Sequence, residues 1–142
     1  MHGIENWFVP EQIFGEGFDF QGELLDNMTV HPLGGSVNLE WIVSKQVLHA
    51  PERWHTYEKV YINMDLFDVS DIDIHTVSAT QTVYIPYVIR SVHTETISAH
   101  SFRLEMESEN GDRFCFVYQA ARIRNVKPAA LNPLTKEYEV TT

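Results

Sequence analysis

Histidine and carboxylate are the side chains of this sequence best equipped for chemistry. Its seven histidines, His2, His31, His49, His55, His75, His93 and His100, carry the commonest metal-ligating group and the usual acid-base group near neutrality. Their spacing builds no compact site. There is no His-x-His pair, no His-Glu-x-x-His helix and no cupin-like arrangement. His49 and His55 flank Ala50 to Trp54 and are the pair that could share a loop-borne ion. Asp65, Asp68, Asp71 and Asp73 alternate with Leu66, Val69, Ile72 and Ile74. An EF-hand loop needs a glycine at its sixth position and a terminal glutamate, which are missing here, so these acids read as a solvated edge. The lone Cys115, set in Phe114-Cys115-Phe116-Val117-Tyr118, excludes a disulfide framework and any zinc site with two cysteines. It reads as a small buried hydrophobe. No nucleophile elbow, phosphate loop or dinucleotide fingerprint occurs. The residues thus assign no catalytic group, no metal ligand and no cofactor.

Charge says more by position than by total. The chain has 142 residues and a formal net charge of -10, a balance that disfavours nucleic acid and anionic membranes as partners. Before Lys45, the first basic residue, lie Glu5, Glu11, Glu16, Asp19, Glu23, Asp26 and Glu40. Residues 113 to 136 instead hold Arg113, Arg122, Arg124, Lys127 and Lys136 without an acid. An acidic front and a basic back can neutralise each other within the fold, or they can orient a head-to-tail contact between subunits.

The elements that would position these groups are strands. Val, Ile and Thr fill 34 positions and Ala only 7, a choice that favours an all-β fold. We expect an antiparallel β-sandwich or barrel with at most one short helix, at Met64 to Ser70. Phe18 to Leu24 and Val37 to Trp41 alternate as half-buried strands do. Tyr57 to Ile62, Ile72 to Val77, Thr80 to Ile89, His93 to Ile97 and Glu137 to Val140 are further candidates. Pro86 argues for an edge or a bulge in its run. Residues 1–142 read as one domain, with 1–17 as an N-terminal arm and 127–136 as a proline-containing loop. No basic n-region precedes an apolar stretch, and no apolar run approaches a membrane helix, so a soluble product of the cytoplasm is expected.

Asn110-Gly111 is the strongest local signal, a two-residue hairpin turn between arms at His100 to Glu107 and Arg113 to Arg124. If Glu109 pairs with Asp112, Met106 faces Cys115, Leu104 faces Val117 and Phe102 faces Gln119 across the core side. Phe114, Phe116 and Tyr118 then fall beside Glu107, Glu105 and Arg103 on the outer side. Three aromatic rings there need a cover, which either a second layer of the same chain or a neighbouring subunit could supply.

The C-terminal third, with strand Ser101 to Met106, turn Asn110-Gly111-Asp112, long strand Arg113 to Val126, a loop and a last strand ending Glu137-Tyr138-Glu139-Val140, resembles the tail-tube proteins of bacteriophages. The resemblance covers about forty residues. It implies a non-enzymatic virion subunit, assembled in the host cytoplasm, that forms rings or stacked rings with its own copies and other assembly proteins. The contact surfaces would be Phe114, Phe116, Tyr118, Arg103, Arg122, Arg124, Leu131, Leu134, Glu11 and Glu16. Two other readings stay open: a β-barrel, enzyme or not, that binds a small ligand or a metal through histidines, and an acidic inhibitor or immunity-type binding protein that mimics a nucleic acid or masks a basic toxin.

Overall fold

A computed structural model describes residues 3–31, 33–77 and 86–141. The expectation of an all-β chain with one short helix holds. The strands are β1 (Ile4–Glu5), β2 (Leu24–His31), β3 (Ser36–Val43), β4 (Lys59–Phe67), β5 (Asp71–His75), β6 (Tyr87–Ser98), β7 (Ser101–Ser108), β8 (Arg113–Tyr118), β9 (Ala120–Leu131) and β10 (Tyr138–Val140), and the helix is α1 (Phe8–Phe14). They form one ten-stranded sheet in the order β1-β9-β4-β3-β2-β6-β7-β8-β5, with β10 added to β9. Every pairing is antiparallel except the short β1 on β9.

The sheet folds over into two layers because one two-stranded ribbon bends between them. β4 pairs β9 as far as Phe67 with Ala120, and β5 pairs β8 from Asp71 with Val117. At the corner Gln119 N–H donates to the Phe67 carbonyl and Ser70 N–H to the Val117 carbonyl. Asp68 turns the chain with a φ of 51°, a conformation its short polar side chain tolerates better than most. Leu39, Trp41, Ile62 and Met64 of one layer share a core with Leu104, Met106, Phe114, Phe116 and Tyr118 of the other. Each layer therefore keeps its second face for solvent.

Several expected elements move, each for a tertiary reason. Residues 64–67 are strand and not helix, since Met64 and Leu66 lie in β4 between β3 and β9, which satisfy its backbone on both edges. The helix is instead α1, inside the segment expected to be a free arm. Trp7, Ile13 and Phe14 are buried. Phe14 stacks on Phe18 at 4.8 Å and Phe20 on Trp41 at 4.2 Å between centroids, so the N-terminal segment closes the core. Phe18 to Glu23 lies outside any strand. Its alternation reflects Phe18 and Phe20 turned inward while Lys45 Nζ bonds Asp19. Residues 127–131 continue β9, with Pro128 opposite Val60 and Ala129 opposite Lys59, leaving only a tight turn around Asn132 before β10. Pro86 immediately precedes β6, and the strand expected from Thr80 lies in part outside the described residues. Among the described residues no helix is long and apolar enough to cross a membrane.

Candidate functional site

The β7–β8 hairpin determines what the outer faces carry. Its turn has three residues and not two: Ser108 N–H donates to the Asp112 carbonyl at 2.8 Å, and Gly111 N–H to the Ser108 carbonyl at 3.0 Å. Gly111 takes a φ of 92°, as the left-handed position of such a loop requires. Asp112 is drawn inward, accepting from Val77 N–H and Tyr87 OH. These bonds hold its carboxyl below the usual carboxylate range, the Val77 N–H acting first and the Tyr87 hydroxyl next. The register consequently differs by one residue from the expected one, and Met106 faces Phe114, Leu104 faces Phe116 and Phe102 faces Tyr118. A one-residue slip exchanges the faces of a strand. Phe114, Phe116 and Tyr118 are core, each about 1% exposed or less, and the second layer of the same chain covers them. They offer no contact surface.

What reaches solvent from this layer is a charged field. Adjacent strands align His93, Glu105, Cys115 and Asp73 in one row, and Ser91, Glu107, Arg113 and His75 in the next. The third row runs Glu95, Arg103, Val117, Asp71. Arg103 pairs with Glu95 and Arg90 with Glu107. Asp71, Asp73 and Glu105 have no ion-pair partner among the described residues. Asp73 and Glu105, with His75, His93, Glu107 and Arg113, line a shallow hollow of about 350 Å³. Burial pushes the Cys115 thiol up, and Glu105 adds to the effect, against the pull of Arg103. A nucleophilic cysteine needs the reverse. His93 is two strands away from Cys115, about 10 Å at ordinary strand spacing, while His75 stands one strand over, opposite Arg113. The face can attract cations. Among the described residues no cluster of His, Cys, Asp or Glu could hold a metal ion; His49 and His55 are exposed in the segment between β3 and β4.

The outer face of the other layer is organised differently. Asn38 donates to Asp65 at 2.7 Å and also to Asn63. Asn63 donates to Tyr61 OH at 2.9 Å, and Tyr61 to Glu40 at 2.8 Å. Burial and the Glu40 carboxylate push the Tyr61 hydroxyl up to about 12. Arg122 lies 3.5 Å from Asp65 and over the Phe67 ring. These carboxylates already have their partners.

The residues expected to form one contact surface are thus dispersed. Arg103 stands on the acidic face and Arg122 with the exposed Arg124 on the opposite one. Leu131 and Leu134 are exposed where β9 turns to β10, and Glu11 and Glu16 lie in and just beyond α1. Asp71, Asp73 and Glu105 were legible as charges of alternating strands, but only the register puts them together.

The model of one protein family, immunity protein 50, matches residues 9–129. The chain belongs to that family. No curated protein and no solved structure matches it. Family membership overturns the virion structural subunit inferred from the C-terminal third and favours the immunity-type binding protein that the residues had left open. The strand-turn-strand pattern that carried the tail-tube resemblance is a generic hairpin, which any antiparallel sheet can contain.

Proposed function

We propose that this chain is a non-enzymatic immunity protein that neutralises a protein toxin by binding it, and that the acidic outer face of β6, β7, β8 and β5 is the surface that receives it. The family match over residues 9–129 carries the reading. The face supplies the physics: three carboxylates, Asp71, Asp73 and Glu105, without an ion-pair partner among the described residues, on paired strands. Such a field speeds encounter with a basic surface and favours partners of complementary charge. Rigid strands also order few side chains on binding, which lowers the entropic cost. The partner this face fits is a toxin domain with a cationic surface, masked by occupancy and not by chemical modification.

The test is growth rescue joined to binding. Cells producing the cognate toxin domain should survive when this chain is co-expressed, and the purified pair should associate more slowly as salt rises. Lack of rescue by the wild-type chain would overturn the immunity reading. Rescue that survives charge reversal at Asp73 and Glu105, in a folded variant, would move the docking surface elsewhere.

A further inference from the structure

Strand β6 is held along its length by β7 but by β2 only at its start. Leu24 and Leu25 pair with Val88 and Tyr87. Ile89 then donates to the Glu23 carbonyl and accepts from Gly22 N–H. Beyond Ile89 the edge of β6 turned away from β7 has no backbone partner among the described residues. Irregularities in the β6–β7 ladder, between Ile89 and Ser91 and between Thr96 and Ser98, bound a regular stretch from Ser91 to Thr96.

Hydrogen-bond alternation identifies the open groups. Ser108 N–H points toward β8, so Glu107, Glu105 and Arg103 direct their backbone groups toward β6, where Ser91, His93 and Glu95 face them. Val92, Thr94 and Thr96 therefore present N–H and C=O to the open edge. Exposed edges are normally blunted by charged side chains, proline, bulges or a covering segment. Ser91-Val92-His93-Thr94-Glu95-Thr96 lies between its two irregularities, carries one charged residue, Glu95, and no lysine or proline, and half of it is β-branched, which suits further pairing.

We propose that this edge joins two copies of the chain, β6 to β6, antiparallel about a twofold axis at Thr94. The register is self-complementary. Thr94 meets Thr94 of the second copy, and Val92 meets Thr96 on either side, so three residues of each copy exchange about six backbone hydrogen bonds. The intervening close pairs set His93 against Glu95 twice, placing an imidazole beside the Glu95–Arg103 ion pair and no like charges against each other. Centring the axis on His93 or Glu95 would set each against its own copy. An isologous contact of this kind closes at two subunits and leaves no further edge of β6. The contact does not depend on the immunity reading, because it needs no toxin.

Sedimentation of the full chain without toxin tests it. Apparent mass should rise with concentration from 16.4 kDa toward twice that value. Thr94→Pro removes an outward N–H while sparing the β6–β7 ladder, where an edge proline is tolerated. It should retain the far-UV spectrum and cooperative melting of the wild type, and weaken self-association at least about tenfold. Val92→Pro serves the same purpose if Thr94→Pro does not fold. His93→Glu, which sets two carboxylates against each other, should weaken it as well. A wild-type chain that stays monomeric at every concentration overturns the proposal. So does a folded Thr94→Pro variant that still dimerises normally, or one whose only defect is in toxin binding, which would assign the edge to a strand of the toxin.

Discussion

The two outer faces of this folded sheet draw on the same residue classes and leave them in opposite states. Across β2, β3, β4 and β9, Asp65 takes a bond from Asn38 and faces Arg122, and Glu40 takes one from Tyr61. Across β6, β7, β8 and β5, Glu95 and Glu107 are paired, but Asp71, Asp73 and Glu105 face solvent with unspent charge. A carboxylate whose partners lie within the chain contributes to the fold and has little left for a ligand. One without partners contributes little to stability and keeps its field for something that arrives from outside. Total charge does not separate the two; the state of each acid does.

Both faces rest on one core, so the harshest change is to remove the ring beneath the acidic one. Phe116→Ala should cost about 3–5 kcal/mol by denaturant titration; a variant of normal stability would return the aromatic row to the surface. Asp65→Ala should cost about 1–3 kcal/mol, since it strips an acceptor from Asn38 and a counter-charge from Arg122, while toxin binding stays intact. The complementary experiment is Asp71→Asn with Asp73→Asn and Glu105→Gln. Stability should remain within about 0.5 kcal/mol, whereas toxin association should slow about tenfold at low salt and converge with wild type at high salt. Equal effects of the two sets on binding would erase the distinction between the faces.

Asp112 offers a pH test of a carboxylate committed to the fold. Its pKa is depressed in the folded chain, so its contribution is present above the unfolded value near 3.9 and fades as pH falls through the lower folded value. Tyr87→Phe should cost about 0.5–1.5 kcal/mol at neutral pH, and the gap to wild type in urea melts should narrow below about pH 4. The smallest effect is expected at Cys115. Burial chiefly raises its thiol pKa, with Glu105 adding, so Glu105→Gln should raise alkylation by iodoacetamide at pH 8 only a few-fold. No change would mean that Glu105 does not act on the thiol.

Much of this was legible in the residues. The alternation of Val37 to Trp41 and the Val- and Thr-rich runs announced strands because period two is a local property. The acids at Asp71 and Asp73 were visible too, yet they read as an edge with no companion. What joined them to Glu105 was the strand between, and its register hung on whether the Asn110-Gly111 turn had two residues or three. Asn-Gly permits both. Bonds from Val77 and Tyr87 to Asp112 come from elsewhere in the chain and accompany the three-residue form. The same dependence on distant partners explains the N-terminal segment, whose Trp7, Phe14 and Phe18 are ordinary aromatics until Phe20 and Trp41 give them a place to stack.

By itself the sequence determined an all-β chain with a net charge of -10 and no motif for catalysis, because composition and short-range periodicity express local preferences of backbone and side chain. Only the tertiary structure decided which face of each strand meets water. That choice turns on a single step of register, and a single step reverses an entire strand, moving Phe114, Phe116 and Tyr118 into the core and bringing Cys115 out among Glu105 and Asp73.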